Sequence, residues 1–255
     1  MSDADLCVVV GATGAIGSAV VARLVARDLR VLAVARSSDT LRELAATSDA
    51  ISTCVADIGS DDAITTIGAA LDRPDLAGPV RMAVLAAGLP VRGSADTIDP
   101  ALLIDGFGIK VGGLLRLVRA VRDRFEQGSR LVTFAGSLGL EPRATEAGPG
   151  AVNAAVFNLM RQLSLLYGPR GVTTHTISPG PSDTPRLRRI VEAVAAERGE
   201  SFETVWATYA GENSLGRLPT AAEVAWGVTL LLDPEADLLH GSVLYLDAGG
   251  HRGIH

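Results

Sequence analysis

The sequence predicts one α/β domain: a doubly wound, mostly parallel sheet with helices on both faces. Three observations predict it. Short apolar runs, several rich in Val and most bounded by Gly, Pro, Asp or Ser, alternate with helix-period segments along the whole chain. A glycine-rich turn joins the first run to the first helical segment. No linker, repeat, composition shift or low-complexity tract interrupts the 255 residues, so 1–255 reads as a single domain. A chain this long buries about 70–75% of the surface its unfolded form exposes, and needs no disulfide or metal to hold a core.

The strands are expected at Leu6–Val10, Arg30–Ala35, 51–56, 81–86, 130–135, 172–177 and 242–246. Several of these runs are apolar at successive positions, as suits strands covered on both faces. Helices are expected at 16–27, 40–46, 61–71, 100–125, 151–167, Pro185–Arg198 and 221–232. Strand and helix in alternation imply parallel pairing through crossovers.

Composition narrows the function classes. Apolar residues make up 47%, charged residues 20%, and the formal charge is −6. That acidic balance argues against nucleic acid or an anionic membrane as partner. No apolar run approaches the roughly 18 residues of a membrane span, and the first residues lack the basic region of a signal peptide. Cys7 and Cys54 sit in strand-like runs and read as buried, reduced thiols. The expectation is a cytoplasmic protein.

The first turn carries chemistry. Gly11, Thr13, Gly14, Ile16 and Gly17 fall in a G-x-x-G-x-x-G pattern between the first strand and the first helix. Glycine lets the backbone approach a pyrophosphate, and the helix start offers free N–H groups and a positive dipole end. A tight turn also needs glycine for geometry alone; the strand-to-helix context is what points to a nicotinamide dinucleotide. The second strand ends at Ala35, followed by Arg36, Ser37 and Ser38. An NAD site usually has Asp or Glu there, whereas a guanidinium suits a 2′-phosphate, so NADP(H) is expected over NAD(H). The alternative for Arg36 is a solvated loop residue. Asp57, with Ile58, ends the third strand within reach of an adenine.

These stretches, with Leu85-Ala86-Ala87-Gly88, Ile177-Ser178-Pro179-Gly180, Thr184, Leu215-Gly216-Arg217-Leu218 and Leu246-Asp247-Ala248-Gly249-Gly250, resemble the short-chain dehydrogenase/reductase family. The resemblance spans nearly the whole chain. It implies a Rossmann sheet, a cofactor across its C-terminal edge touching Ala87, Gly88, Pro179, Gly180 and Thr184, and a homodimer or homotetramer.

It also implies a catalytic Asn, Ser, Tyr and Lys, and all four positions differ here. Lys110 stands in the asparagine's place, Gly136 in the serine's, Pro149 in the tyrosine's and Asn153 in the lysine's. Proline at the first turn of a helix costs little structurally, but it has no proton to give. General acid catalysis contributes about 10²–10⁴-fold, so ordinary carbonyl reduction is expected to suffer. Candidate substitutes are Ser137, Lys110, Glu146 and Asn153. Ser137 reads alternatively as a loop serine bonding backbone, and Lys110 as a solvent-facing or interface lysine. Glu141, Arg143, Thr145 and Glu146 share the loop before Pro149. A carboxylate there would act as acid or base if a dry pocket raised its pKa; otherwise these are surface charges.

Elsewhere, His175 reads as a buried structural histidine. His251 and His255 read as a frayed tail rather than a metal site, and no metal is expected. A substrate lid is expected at 184–215. There Phe202, Trp206 and Tyr209 fall on one helical face, as a ligand surface or as a lid helix docking on the core. Arg186, Arg188 and Arg189 read as a solvated helix face, with an acidic ligand group as the alternative.

Three readings of function remain open at this point. The first is a non-canonical enzyme using NADP(H) on a small hydrophobic carbonyl or phenolic substrate, with replacement acid/base groups. The second is a non-redox cyclase, dehydratase or isomerase, and the third a catalytically silent partner or dinucleotide sensor.

Overall fold

A computed structural model describes residues 5–88, 91 and 93–253. Seven strands, β1 Leu6–Val10, β2 Arg30–Ala35, β3 Ile51–Val55, β4 Val80–Leu85, β5 Arg130–Phe134, β6 Thr173–Pro179 and β7 Val243–Leu246, pair in parallel throughout. Their order is β3-β2-β1-β4-β5-β6-β7. The chain winds outward from β1 to β3, then crosses back to β4 and winds the other way. The switch point between β1 and β4 opens a crevice at the C-terminal edge, where such sheets bind ligands.

Side chains of β1 alternate between two cores. Leu6, Val8 and Val10 face the layer of α3 (Asp62–Leu71), α5 (Gly113–Val121) and α6 (Ala147–Tyr167). Cys7 and Val9 face α1 (Ala15–Val25), α2 (Ser38–Ala45) and α9 (Ala221–Leu230). Every residue of β1 is buried. Each large apolar side chain so buried contributes roughly 1.5–3 kcal/mol. Cys7 and Cys54 are buried and unbonded to each other, as the sequence predicts.

The long helix expected at 100–125 is broken. α4 (Pro100–Phe107) passes through a π turn, Gly108–Gly112, into α5. Arg116 holds the wider turn: its Nη1 donates to Gly108 O at 2.8 Å and to Ile58 O at 3.2 Å, and its Nε meets Asp61 Oδ1 at 2.7 Å. A Cβ at Gly112 would lie 2.8 Å from that guanidinium, and one at Gly113 would lie 3.1 Å from Ile58. The paired glycines thus dock the turn on the loop carrying Asp57 and Ile58. α6 starts at Ala147, four residues earlier than expected, which puts Pro149 in its first turn.

α7 (Pro185–Arg198) and α8 (Phe202–Ala210) form the lid. Leu187, Val191, Val205 and Leu218 make its own small core. His175 is the structural histidine expected: Nδ1 meets Leu239 O at 3.2 Å and Nε2 meets Thr173 Oγ1 at 2.8 Å. The C-terminal tail corrects expectation. It is pinned, since Arg252 and Gly253 N–H donate to Glu141 Oε1 at 2.8 and 3.0 Å, and His251 stacks on Tyr245 at 4.2 Å. His255 lies outside the described residues. Among the described residues no helix is long and apolar enough to cross a membrane, and no His/Cys/Asp/Glu group has metal-ligating geometry.

Candidate active site

Two clefts meet at the C-terminal edge of the sheet. The larger, about 920 Å³, runs over β1, β2 and β4 and is lined by Gly11, Thr13, Gly14, Arg36, Ser37, Asp57, Ile58, Ala87 and Gly88. The glycine turn is built by close approach. Gly11 has φ of +80°, and a Cβ there would come within 2.8 Å of the Ala86 and Ala87 backbone. Gly17 lines no cleft; it is buried, and a Cβ on it would stand 2.1 Å from Gly11 O. Its role is to seat α1 against the turn, so the first N–H groups of α1 point at the cleft. Arg36 is exposed at the rim. Ser37 Oγ accepts from Thr40 N–H and caps α2. Asp57 Oδ1 accepts from Gly59 N–H at 2.9 Å. A backbone cradle that a Cβ would fill, beside a cation and opposite no acidic residue at Ala35, fits a phosphorylated dinucleotide.

The second cavity, about 350 Å³, lies between β5, α6 and the lid. Gly136, Ser137, Leu138, Glu141, Arg143, Glu146 and Pro149 form one wall. Ile16, Pro179, Gly180 and Thr184 form the side next to the dinucleotide cleft, and Leu187, Ile190, Tyr209 and Glu212 the lid side. Thr184 Oγ1 accepts from Leu187 N–H and caps α7.

The sequence matches the family profile described as enoyl-(acyl carrier protein) reductase over residues 11–251. The chain belongs to the short-chain dehydrogenase/reductase family. It is 26% identical to the short-chain reductase protein NovJ of Streptomyces niveus, over 98% of this chain and 95% of that protein. It is 27% identical to a 2-keto-3-deoxy-L-fuconate dehydrogenase of Xanthomonas campestris, over 95% of this chain and 79% of that one. Among solved structures it is similar to an actinorhodin polyketide ketoreductase with NADPH, at 25% identity, TM-score 0.88 and 98% coverage of each chain. An L-sorbose reductase of Gluconobacter frateurii complexed with NADPH and L-sorbose shares the fold, with TM-score 0.90, 17% identity and 98% coverage of each chain.

Gly136, Pro149 and Asn153, which the resemblance sets in place of a catalytic Ser, Tyr and Lys, come together. Pro149 and Gly136 line the cavity, and Asn153 is buried with its Nδ2 3.3 Å from where a Cβ on Gly136 would stand. Lys110 corrects the solvent-facing reading. It is 6% exposed, and its Nζ donates to Phe134 O, at the end of β5, at 2.6 Å. Burial, then the nearby Arg186 charge, bring its pKa down to about 8. It lies behind the cavity wall, outside both sets of lining residues.

The loop carboxylates separate. Glu141 is not raised. Burial pushes its pKa upward, but the N–H groups of Arg252 and Gly253 and the charges of His251 and Arg252 leave it below the usual carboxylate range. It is a strap for the tail. Arg143 pairs twice with Glu212, at 3.0 and 3.1 Å, and ties this loop to the lid. Glu146 stays on the cavity wall.

The aromatic face divides as well. Phe202 and Trp206 stack on each other at 5.4 Å and pack on the lid core, as Tyr209 also does. Tyr209 alone of the three reaches the cavity. Sequence reasoning valued Tyr209 as an apolar face and passed over the hydroxyl it carries; the residue lines the lid side of the cavity, not the wall of Pro149. The lid arginines are exposed, as a solvated helix face would be. Arg188 pairs with Asp183, but Arg186 and Arg189 line the dinucleotide cleft.

Proposed function

We propose that the chain binds NADP(H) and reduces a small hydrophobic carbonyl or phenolic compound, with proton donors that stand in for the family tyrosine. The observation that carries this reading is the junction of a glycine-turned, Arg36-rimmed cleft with a cavity whose walls mix Leu138, Leu187 and Ile190 with Ser137, Glu146 and Tyr209. Likeness to a polyketide ketoreductase with NADPH supports NADP(H) and a substrate of secondary-metabolite type.

The α1 start and the Gly11–Gly14 turn would hold the phosphates, Arg36 the 2′-phosphate, and Asp57 with Ile58 the adenine. A bound nicotinamide would supply the hydride. The chain's own task is then to orient the substrate oxygen, exclude water and move one proton. Pro149 and Gly136 cannot do the last. Ser137, Glu146 and Tyr209 line the cavity and carry exchangeable groups, and they are the donors proposed. Asn153 and Lys110 support the wall from behind. The same reading has the protein working in the cytoplasm as a homodimer or homotetramer, for which the exposed Ile104, Leu115, Leu165 and Leu166 offer apolar surface.

The test is turnover of a panel of hydrophobic ketones and quinones with NADPH, for the wild type and for Ser137→Ala, Glu146→Gln and Tyr209→Phe. Loss of about 10²–10⁴-fold in one variant identifies the donor. Wild-type turnover that none of the three changes refutes replacement donors. A non-redox transformation is the second reading, favoured by Pro149 and Gly136 on the cavity wall; product formation without NADPH consumption would select it.

A further inference from the structure

α7 begins Pro185-Arg186-Leu187-Arg188-Arg189, and its guanidiniums go to different places. Arg188 is bound to Asp183 twice at 2.8 Å and lies 4.9 Å over the Trp206 ring. That fixes one side of the lid. Arg186 lines both the dinucleotide cleft and the substrate cavity. Its Nη1 lies 3.2 Å from where a Cβ on Gly88 would stand, just beyond the end of β4. It therefore reaches across the junction of the two clefts.

The facing wall is uncharged. The glycine turn carries no side-chain cation: Gly11 N–H donates to Val34 O and Gly14 N–H to Gly11 O, which leaves the helix dipole of α1. Among the described residues lining this cleft the cations are Arg36, Arg186 and Arg189. Arg36 belongs to the far, adenosine end, at the tip of β2. Arg186 is close enough to Lys110 for their charges to repel. Arg186, lining both clefts and facing the positive end of α1, favours an anion at their junction. A dinucleotide places its pyrophosphate between its two nucleoside halves, as the junction lies between the two clefts.

We propose that Arg186 is a phosphate clamp carried by the lid, binding the pyrophosphate from the side opposite the glycine turn. This rests on the reading that the chain binds a dinucleotide. It makes lid position and cofactor affinity one property, and it returns to the site a cation that Asn153 cannot provide.

Calorimetric titration tests it with three ligands: NADPH, ADP-ribose (pyrophosphate, no nicotinamide) and 2′-AMP (2′-phosphate, no pyrophosphate). The proteins are wild type, Arg186→Gln, Arg186→Lys and, as a lid control, Arg188→Gln. Arg186→Gln should weaken NADPH and ADP-ribose by roughly 10- to 100-fold, as the loss of a charge-assisted phosphate bond does, and leave 2′-AMP within about twofold. Arg186→Lys should recover part of the loss. ADP-ribose should also slow proteolysis of the lid in wild type and not in Arg186→Gln. The clamp is overturned if Arg186→Gln binds ADP-ribose like wild type, or loses all three ligands alike. If the wild type itself binds none of the three, the dinucleotide reading falls first.

Discussion

Lys110 holds an ammonium where water cannot reach it. Unfolded, the side chain keeps its proton up to pH 10.5; folded, it releases it near 8. The folded state thus binds fewer protons between those values, and stability rises with pH across that window. Below pH 8 the charged, buried lysine costs roughly 2–3 kcal/mol. Lys110→Met should therefore stabilise the protein at pH 7, by about 1–2 kcal/mol once the bond to Phe134 O is lost. The advantage should fade between pH 8 and 10.5, read from urea midpoints at each pH. A constant difference would show that the ammonium is not the cost. His175 works at the other end. Burial, then the Arg130 charge, lower its pKa from 6.5 to about 4, so its contribution is intact above 6.5 and disappears as pH falls through 4. His175→Asn should flatten the loss of stability between pH 6.5 and 4. An unchanged acid limb would place the proton uptake elsewhere. The buried setting of His175 was legible from its strand, whereas that of Lys110 was not. Lys110 lies in a helical run, and only the π turn, with Arg116 holding Gly108 O, turns it inward. The fate of a single side chain depended on residues about 50 positions away in sequence.

At the scale of elements, much was legible. Strand ends fell within two residues, because a strand buried on both faces must be apolar along its length. The break in the 100–125 helix was not, since glycine in a helical pattern signals a weak helix and not a π turn. Within the segment expected as the lid, Phe202, Trp206 and Tyr209 all pack on its small core, and the sequence did not show that Tyr209 and Arg186 also line the clefts. The first turn of α6 bears on repair. Pro149 lines the cavity and Asn153 lies one turn on, so Gly136→Ser, Pro149→Tyr and Asn153→Lys together would rebuild the family's groups on one wall. A Cβ on Gly136 meets only the Asn153 amide, at 3.3 Å, and that side chain is replaced in the same variant. The triple variant should gain ketone reductase activity, and Lys110→Asn should raise it further, while single changes do almost nothing. A quadruple variant that folds and binds NADPH yet reduces no ketone would mean that the cavity is shaped for other chemistry.

On the proposed reading, the molecule binds its cofactor and does its chemistry at one edge of the sheet, where the two clefts meet. Its dinucleotide cleft keeps what recognition requires: the glycine turn, the α1 start, and Arg36 after Ala35. Arg36→Ala should weaken NADPH by roughly 1.5–3 kcal/mol and leave NADH nearly unchanged; equal losses in a fluorescence titration would reassign that cation. Fold and cofactor cleft were legible because they depend on short-range patterns and on glycine geometry. Ser137 and Glu146 were legible as candidate donors; the Tyr209 hydroxyl was not, because the proposed donors come from the β5 loop, the α6 start and the lid, which the sequence does not place side by side. Simple ketones should turn over below the roughly 1–10³ s⁻¹ usual for enzymes, so the decisive measurement must register slow transfer. NADPH deuterated at C4, incubated with a panel of hydrophobic carbonyl and phenolic compounds and read by mass spectrometry, does so. The account predicts deuterium in a reduced product, lost when the responsible group among Ser137, Glu146 and Tyr209 is removed. Binding of NADPH with no label in any product across the panel would contradict it.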